Sequence, residues 1–247
     1  MRLTLEHRQR ELRIPMTALE KPAVVLLSGG MDSSALLHHV VKTLDRRPVH
    51  AISCDYGQRH VRELDCAAWQ ALAAGAEHHR ILDVAFLGDL VKGGSSLVHG
   101  GAEVPDLASV AAPDREQPST YVPNRNLILL ALAAAYAEAR GITDVYYGAQ
   151  AQDEYGYWDC TAEFVERLNQ VLALNRRAPI VVHAPFAAMR KAESLRLGLD
   201  LGVDYGHTWS CYRGEGKACG TCPTCVERLN AFREVGIADP LDYETTR

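Results

Sequence analysis

Ala23-Val24-Val25-Leu26-Leu27-Ser28-Gly29-Gly30-Met31-Asp32-Ser33-Ser34 is the stretch that decides the fold. Its first five residues are apolar and partly β-branched, the pattern of a strand buried on both faces. Ser28-Gly29-Gly30 breaks the run. Asp32-Ser33-Ser34 then opens a helical pattern with Leu36, Leu37, Val40, Val41 and Leu44 on one side. A strand that turns through glycines into a helix presents backbone N–H groups and the positive helix end to an anion. Ligands of open α/β sheets bind at that edge. Leu27 through Ser34 (Leu27, Ser28, Gly29, Gly30, Met31, Asp32, Ser33, Ser34) are therefore expected to bind phosphate. Asp32 can cap the helix or reach a Mg²⁺ that bridges phosphates. Neither G-x-G-x-x-G nor G-x-x-x-x-G-K-[ST] is present, and the turn has no lysine. It is not built like the loop of a γ-phosphoryl-transfer ATPase.

Outward from this turn, strands alternate with helices. Val49 to Cys54, Arg80 to Val84, Val145 to Gly148 and Pro179 to His183 read as further strands. Val61 to Ala74, Asn126 to Arg140, Phe164 to Leu174 and Ala188 to Leu201 read as helices. That alternation predicts an α/β fold, a Rossmann-like parallel sheet of about five strands with helices on both faces. Residues 93–119, with two Gly-Gly pairs and three prolines, read as one long functional or disordered loop. Residues 1–21 read as an N-terminal extension, 22–205 as the nucleotide-binding α/β domain, and 206–247 as a cysteine-rich segment followed by a helix.

The chain has 247 residues, 47% hydrophobic and 23% charged, which excludes disorder and collagen-like repeats for the whole. No apolar run approaches the ~20 residues of a membrane helix, and the basic leader has no secretory h-region. A net charge of −5 argues against a general nucleic-acid binder. Seven cysteines, four of them between 211 and 225, do not form a disulfide framework in a chain this long. They read as a reduced, cytoplasmic protein with a metal site.

Cys211, Cys219, Cys222 and Cys225 form C-x7-C-x2-C-x2-C. A C-x2-C turn brings two thiolates together as tetrahedral zinc requires. Iron–sulfur proteins also use C-x2-C-x2-C, but here the fourth cysteine lies upstream and none follows Cys225, which favours Zn²⁺. Cys54 and Cys66 read as packing residues. Cys160 stands between packing and a site wall.

Three segments follow strands or open helices at the predicted binding edge. Asp55-Tyr56-Gly57-Gln58-Arg59-His60 is polar and aromatic and suits a ring-shaped ligand. Arg125, at the start of an apolar helix, can meet phosphate or carboxylate. The run from Gln150 to Cys160, with Tyr155, Tyr157, Trp158 and Asp159, can stack on a heterocycle. Lys191 can neutralise pyrophosphate. The pairs His38-His39 and His78-His79 read as core or surface residues.

The loop resembles the pyrophosphatase-type loop of the N-type ATP pyrophosphatases (the PP-loop superfamily), which cleave ATP between the α- and β-phosphates. The wider set resembles the 7-cyano-7-deazaguanine synthases, the QueC family. It comprises the loop, Asp55 to His60, Val122-Pro123-Asn124-Arg125-Asn126, Asp159-Cys160, Lys191-Ala192-Glu193 and Thr208-Trp209-Ser210-Cys211-Tyr212 with the other three cysteines. The resemblance runs from about Ala23 to Phe232. It implies a zinc-containing ligase, acting as a homodimer, that uses ATP and ammonia to convert 7-carboxy-7-deazaguanine to the nitrile in queuosine and 7-deazapurine biosynthesis. It implies Asp32, Arg125 and Lys191 in catalysis and Tyr56, Gln58, Arg59, His60 and Asp159 on the substrate side. The sequence departs from the family where Tyr155-Gly156-Tyr157-Trp158 replaces a Ser-Gly-Tyr-Pro-like run, and its leader is longer. A ligase that stops at the amide or uses another amine, or a tRNA-modifying ATP pyrophosphatase, would keep most of these residues.

Overall fold

The computed structural model describes residues 20–59, 61–111, 118–150, 157–213 and 216–245. The apolar run of the deciding stretch forms strand β1, Ala23–Leu26, and Met31–Lys42 forms helix α1. Next come β2 (Val49–Asp55), α2 (Arg62–Ala74), β3 (His78–Asp83) and the short α3 (Phe86–Leu90). After the long loop follow α4 (Arg125–Glu138), β4 (Asp144–Tyr146), α5 (Ala162–Leu172), β5 (Val181–His183), α6 (Lys191–Asp200) and α7 (Pro223–Val235). The five strands are parallel, in the order β3-β2-β1-β4-β5.

Burial follows that order. In central β1, Ala23, Val24 and Val25 have no exposed surface, and the alternation of a strand sends them to opposite faces. Val24 packs with Ile52, Val145 and Val182, against Ala133 and Ala137 of α4 and Phe164 and Leu168 of α5. Ala23 and Val25 pack with Val49 and Ala51, against Leu36, Leu37 and Val40 of α1 and Ala67 and Ala71 of α2. The sheet is thus covered on both sides. Edge strand β3 is mostly exposed, Ile81 among its residues.

The long loop is not free of the core. Leu97, Val98 and Val104 are buried, and Gln58 bridges to Val98 across an isolated antiparallel pair. It also reaches the cysteine segment, where Leu107 N–H donates to the Thr221 carbonyl and Arg213 donates to the Val104 carbonyl. Trp209 and the four clustered cysteines share the apolar core of β1 and β2. Helix α7 packs on α6, through Phe232, Ala231 and Leu195. It starts at Pro223, directly after the cluster residue Cys222, because proline suits the first helical turn and Cys222 stands extended before it. Among the described residues no helix is long and apolar enough to cross a membrane.

Candidate active site

Sheet order reverses between β1 and β4, and a cleft opens at the carboxyl ends of the central strands. The glycine turn forms its floor. Gly29 has φ +84, and a Cβ there would lie 2.0 Å from the Glu63 carbonyl oxygen of α2. Only glycine allows that approach. Ser33 Oγ accepts from the Ser28 N–H at 3.1 Å and contacts Ser28 Oγ at 3.0 Å. Ser28 Oγ in turn accepts from the Gly30 N–H at 3.2 Å. Ser34 N–H is the first to close a helical bond, to the Gly30 carbonyl, so Met31, Asp32 and Ser33 keep N–H groups without intrahelical partners. This is a preorganised cradle for an anion.

Leu27, Ser28, Gly30, Met31, Asp32 and Ser33 line the cleft. Gly29 instead presses on α2, and Ser34 is fully buried. Gly148, after β4, faces the turn closely: a Cβ there would lie 3.3 Å from Ser33 Cα. A side chain at 148 would crowd the cradle.

One wall carries charge. Lys191, the first residue of α6, places Nζ 3.4 Å from Asp32 Oδ2 and 3.1 Å from Glu227 Oε2. Ser194 Oγ donates to Asp32 Oδ1 at 3.2 Å and approaches the Lys191 carbonyl at 3.0 Å. Sequence reading did not find Glu227 or Ser194. Ser194 meets Asp32 only because α6 packs on α1, and Glu227 meets Lys191 only because α7 packs on α6.

A second group of lining residues is aromatic and cationic. Arg125 donates to Tyr56 Oη at 3.2 Å, and its guanidinium stands 5.6 Å from the Tyr56 ring centre. Burial raises the Tyr56 phenol pKa, with Arg125 acting the other way. Tyr157, Tyr212 and Cys160 complete this group. Tyr157 stacks on Tyr121 with ring centres 6.3 Å apart. Cys160 Sγ receives the Asn126 side-chain amide and the Tyr147 hydroxyl, each at 3.4 Å. Tyr147, Tyr157 and Tyr212 offer flat surfaces on which a heterocyclic ring can stack.

Not every expected substrate residue reaches the cleft. Gln58 has no exposed surface; its amide accepts from Tyr56 N–H and donates to the Cys54 carbonyl and Glu63. Arg59 turns toward the Val98 and Gly101 carbonyls of the long loop. Asp159, 2% exposed, accepts the Asn126 N–H at 3.2 Å and so caps α4. Burial raises its pKa, opposed by Arg125 and the Asn126 amide. These three side chains shape the wall from behind. His60 and the run Gln152 to Tyr155 lie outside the described residues, as does the leader through Leu19.

The cysteine segment closes the cleft. Trp209 N–H donates to the Gly29 carbonyl at 3.0 Å, and the Arg62 guanidinium lies 4.1 Å from the Trp209 ring centre. Two residues on, the sulfurs of Cys211, Cys219, Cys222 and Cys225 all lie within 4.8 Å of one another, buried. A tetrahedral zinc–thiolate site has sulfurs about 3.8 Å apart. Backbone N–H groups of Cys219 and Arg213 point at Cys211 Sγ, and that of Cys222 at Cys219 Sγ. Such donors stabilise thiolates. Four buried convergent sulfurs with amide donors fit a closed four-thiolate metal site.

The family model for queuosine biosynthesis protein QueC matches residues 22–236. The chain is 43% identical over 226 residues to the 7-cyano-7-deazaguanine synthase of Alteromonas mediterranea, covering 92% of this chain and 100% of the relative. Its identity to the synthase of Marinobacter nauticus is 45% over 221 residues, covering 90% and 96%. With the synthase of Thermoplasma acidophilum it shares 44% over 228 residues, covering 91% and 92%.

Proposed function

The chain belongs to the queuosine biosynthesis protein QueC family, and on that premise we propose that it makes 7-cyano-7-deazaguanine from 7-carboxy-7-deazaguanine, ammonia and ATP. The observation that carries the reading is one cleft lined by a phosphate cradle, by Lys191 and by Arg125 among tyrosines.

A carboxylate is a poor electrophile. Attack by its oxygen on the α-phosphorus of ATP gives an acyl-adenylate and releases pyrophosphate. The N–H groups of the cradle and the Lys191 ammonium receive the negative charge that builds on the departing group. Ammonia then displaces AMP to form the amide. A second adenylation, on the amide oxygen, again releases pyrophosphate. Loss of AMP and a proton from that species leaves the nitrile. Both activations use the same leaving group, so one cradle serves twice. Arg125, presented from the start of α4, is the cation for the substrate carboxylate, and the tyrosines hold the ring.

Asp32 is the residue that would hold a Mg²⁺, which would supply further neutralisation of phosphate charge. Zn²⁺ at Cys211, Cys219, Cys222 and Cys225 is structural in this reading, since four thiolates leave no ligand position for water. A homodimer and a cytoplasmic setting rest on the family reading alone, and light scattering decides the first.

The deciding experiment incubates the protein with 7-carboxy-7-deazaguanine, ATP and ammonium and follows products by mass spectrometry. The nitrile should accumulate after transient amide, with two AMP formed per nitrile. A final product that is the amide, or a conjugate with another amine, would overturn this assignment in favour of a related ligase.

A further inference from the structure

Building on that reading, we infer that Glu227 is a positioning residue for adenylation. It holds the Lys191 ammonium in the cleft and thereby ties the pyrophosphate site to the helix that starts at the cysteine cluster.

Three elements meet at this point. Asp32 comes from α1, Lys191 from α6 and Glu227 from α7. Lys191 Nζ lies between the two carboxylates, 3.4 Å from Asp32 and 3.1 Å from Glu227. The three side chains are mostly buried, with Glu227 the deepest at 11% exposure and Lys191 at 16%. At that depth a carboxylate requires a charged or hydrogen-bonding partner, and Lys191 provides one.

The two carboxylates are not equivalent. Asp32 is braced by Ser194 and lies in the first turn of the cradle helix, where phosphate chemistry claims it. Glu227 stands two residues after Cys225 on a helix whose N-cap is Cys222. Thr224 Oγ1, on the same turn, donates to the Ser210 carbonyl at 2.7 Å, between Trp209 and Cys211. Buried Arg228 fixes the next position through Asp239, Thr208 and the Tyr205 carbonyl. The helix backbone that presents Glu227 is therefore anchored on either side of it, whereas a lysine on its flexible four-carbon stem needs a partner to stay in place. An ammonium pinned from the α7 side keeps its place when Asp32 turns to the phosphates. Misplacing such a group by even an ångström reduces rate strongly.

The test is a double-mutant cycle read by ATP–pyrophosphate exchange in the presence of 7-carboxy-7-deazaguanine, with metal content and the urea midpoint measured alongside. Glu227→Gln keeps the shape and removes the charge. It should lower exchange about tenfold, with metal content and midpoint unchanged. Glu227→Asp, which keeps the charge on a shorter stem, should fall between wild type and Glu227→Gln. In a Lys191→Ala background, Glu227→Gln should have no further effect, because the residue acts through the lysine. Additive losses, unchanged exchange in Glu227→Gln, or a parallel fall in metal content and midpoint would each overturn the inference. Wild-type protein that gives no exchange would instead remove the adenylation reading on which it rests.

Discussion

Gly29→Ala offers the sharpest test of how the cradle is built. Gly29 sits at φ +84, where an L-residue costs about 1–2 kcal/mol. A Cβ there would also lie 2.0 Å from the Glu63 carbonyl oxygen and 2.7 Å from the Ala67 nitrogen, both backbone atoms of α2. Neither can rotate away, so the turn and the helix must separate. Overpacking of that kind costs roughly 1–3 kcal/mol, and the total is about 2–5 kcal/mol. Gly75→Ala is the control. Its φ is +81, at the end of the same helix, but its Cβ would meet nothing within 4 Å, so only the strain remains, about 1–2 kcal/mol. Urea unfolding of the two variants measures the difference, and pyrophosphate exchange shows whether the displaced cradle still works. Gly29→Ala should be the less stable and lose exchange, while Gly75→Ala keeps it. Equal destabilisation with intact exchange would refute the close approach of turn to helix.

Three further outcomes are expected. Asp32→Ala should lower pyrophosphate exchange by at least about a hundredfold with an unchanged circular dichroism spectrum, since charge stabilisation at such sites amounts to several kcal/mol; retained exchange would remove Asp32 from the site. Cys222→Ser should lose the bound metal and melt earlier, because structural zinc contributes on the order of 10 kcal/mol. Elemental analysis that finds iron in the wild type, or a metal-free protein of normal stability, would overturn the zinc reading. Burial lowers the pKa of His38, His39, His50 and His79, so the unfolded chain takes up protons first as pH falls. Their contribution to stability is complete above about pH 6.5 and is lost as pH falls below it. The urea midpoint should decline over that range, less steeply in His38→Gln, and equal slopes for both proteins would contradict it.

The core of the fold was legible because its signals are local. Ala23 to Leu27 is apolar without interruption, and the central strand it predicts is flanked on both sides by β2 and β4. Helix α3 escaped notice because five residues give no periodicity and Phe86 and Leu90 stay exposed. The buried part of the long loop escaped because Leu97, Val98 and Val104 pack one at a time, without a repeat. On the substrate side, residue chemistry suggested Gln58, Arg59 and Asp159, but chemistry does not give direction. All three polar groups serve the backbone instead: Gln58 orders its own turn, Arg59 ties down residues 98–101, and Asp159 caps α4. A cap is itself readable in sequence only when it precedes its helix closely; Asp159 reaches back 33 residues to do it.

The cysteine segment illustrates the same limit in the other direction. Its spacing announces a metal site, and that much is local. Its bearing on chemistry is not, because Trp209 meets Gly29 across 180 positions of sequence and Lys191 meets Glu227 only after α6 and α7 pack. The backbone bond from Trp209 holds the back of the cradle while the Glu227 carboxylate holds the cation above it. A metal that fixes Cys211 and Cys222 therefore fixes both contacts at once, one on each side of the cluster in the chain. Stability of the segment and geometry of the cradle are then one property. Metal loss should affect exchange before it unfolds the sheet, whose own core on the α1 and α2 face contains none of these cysteines.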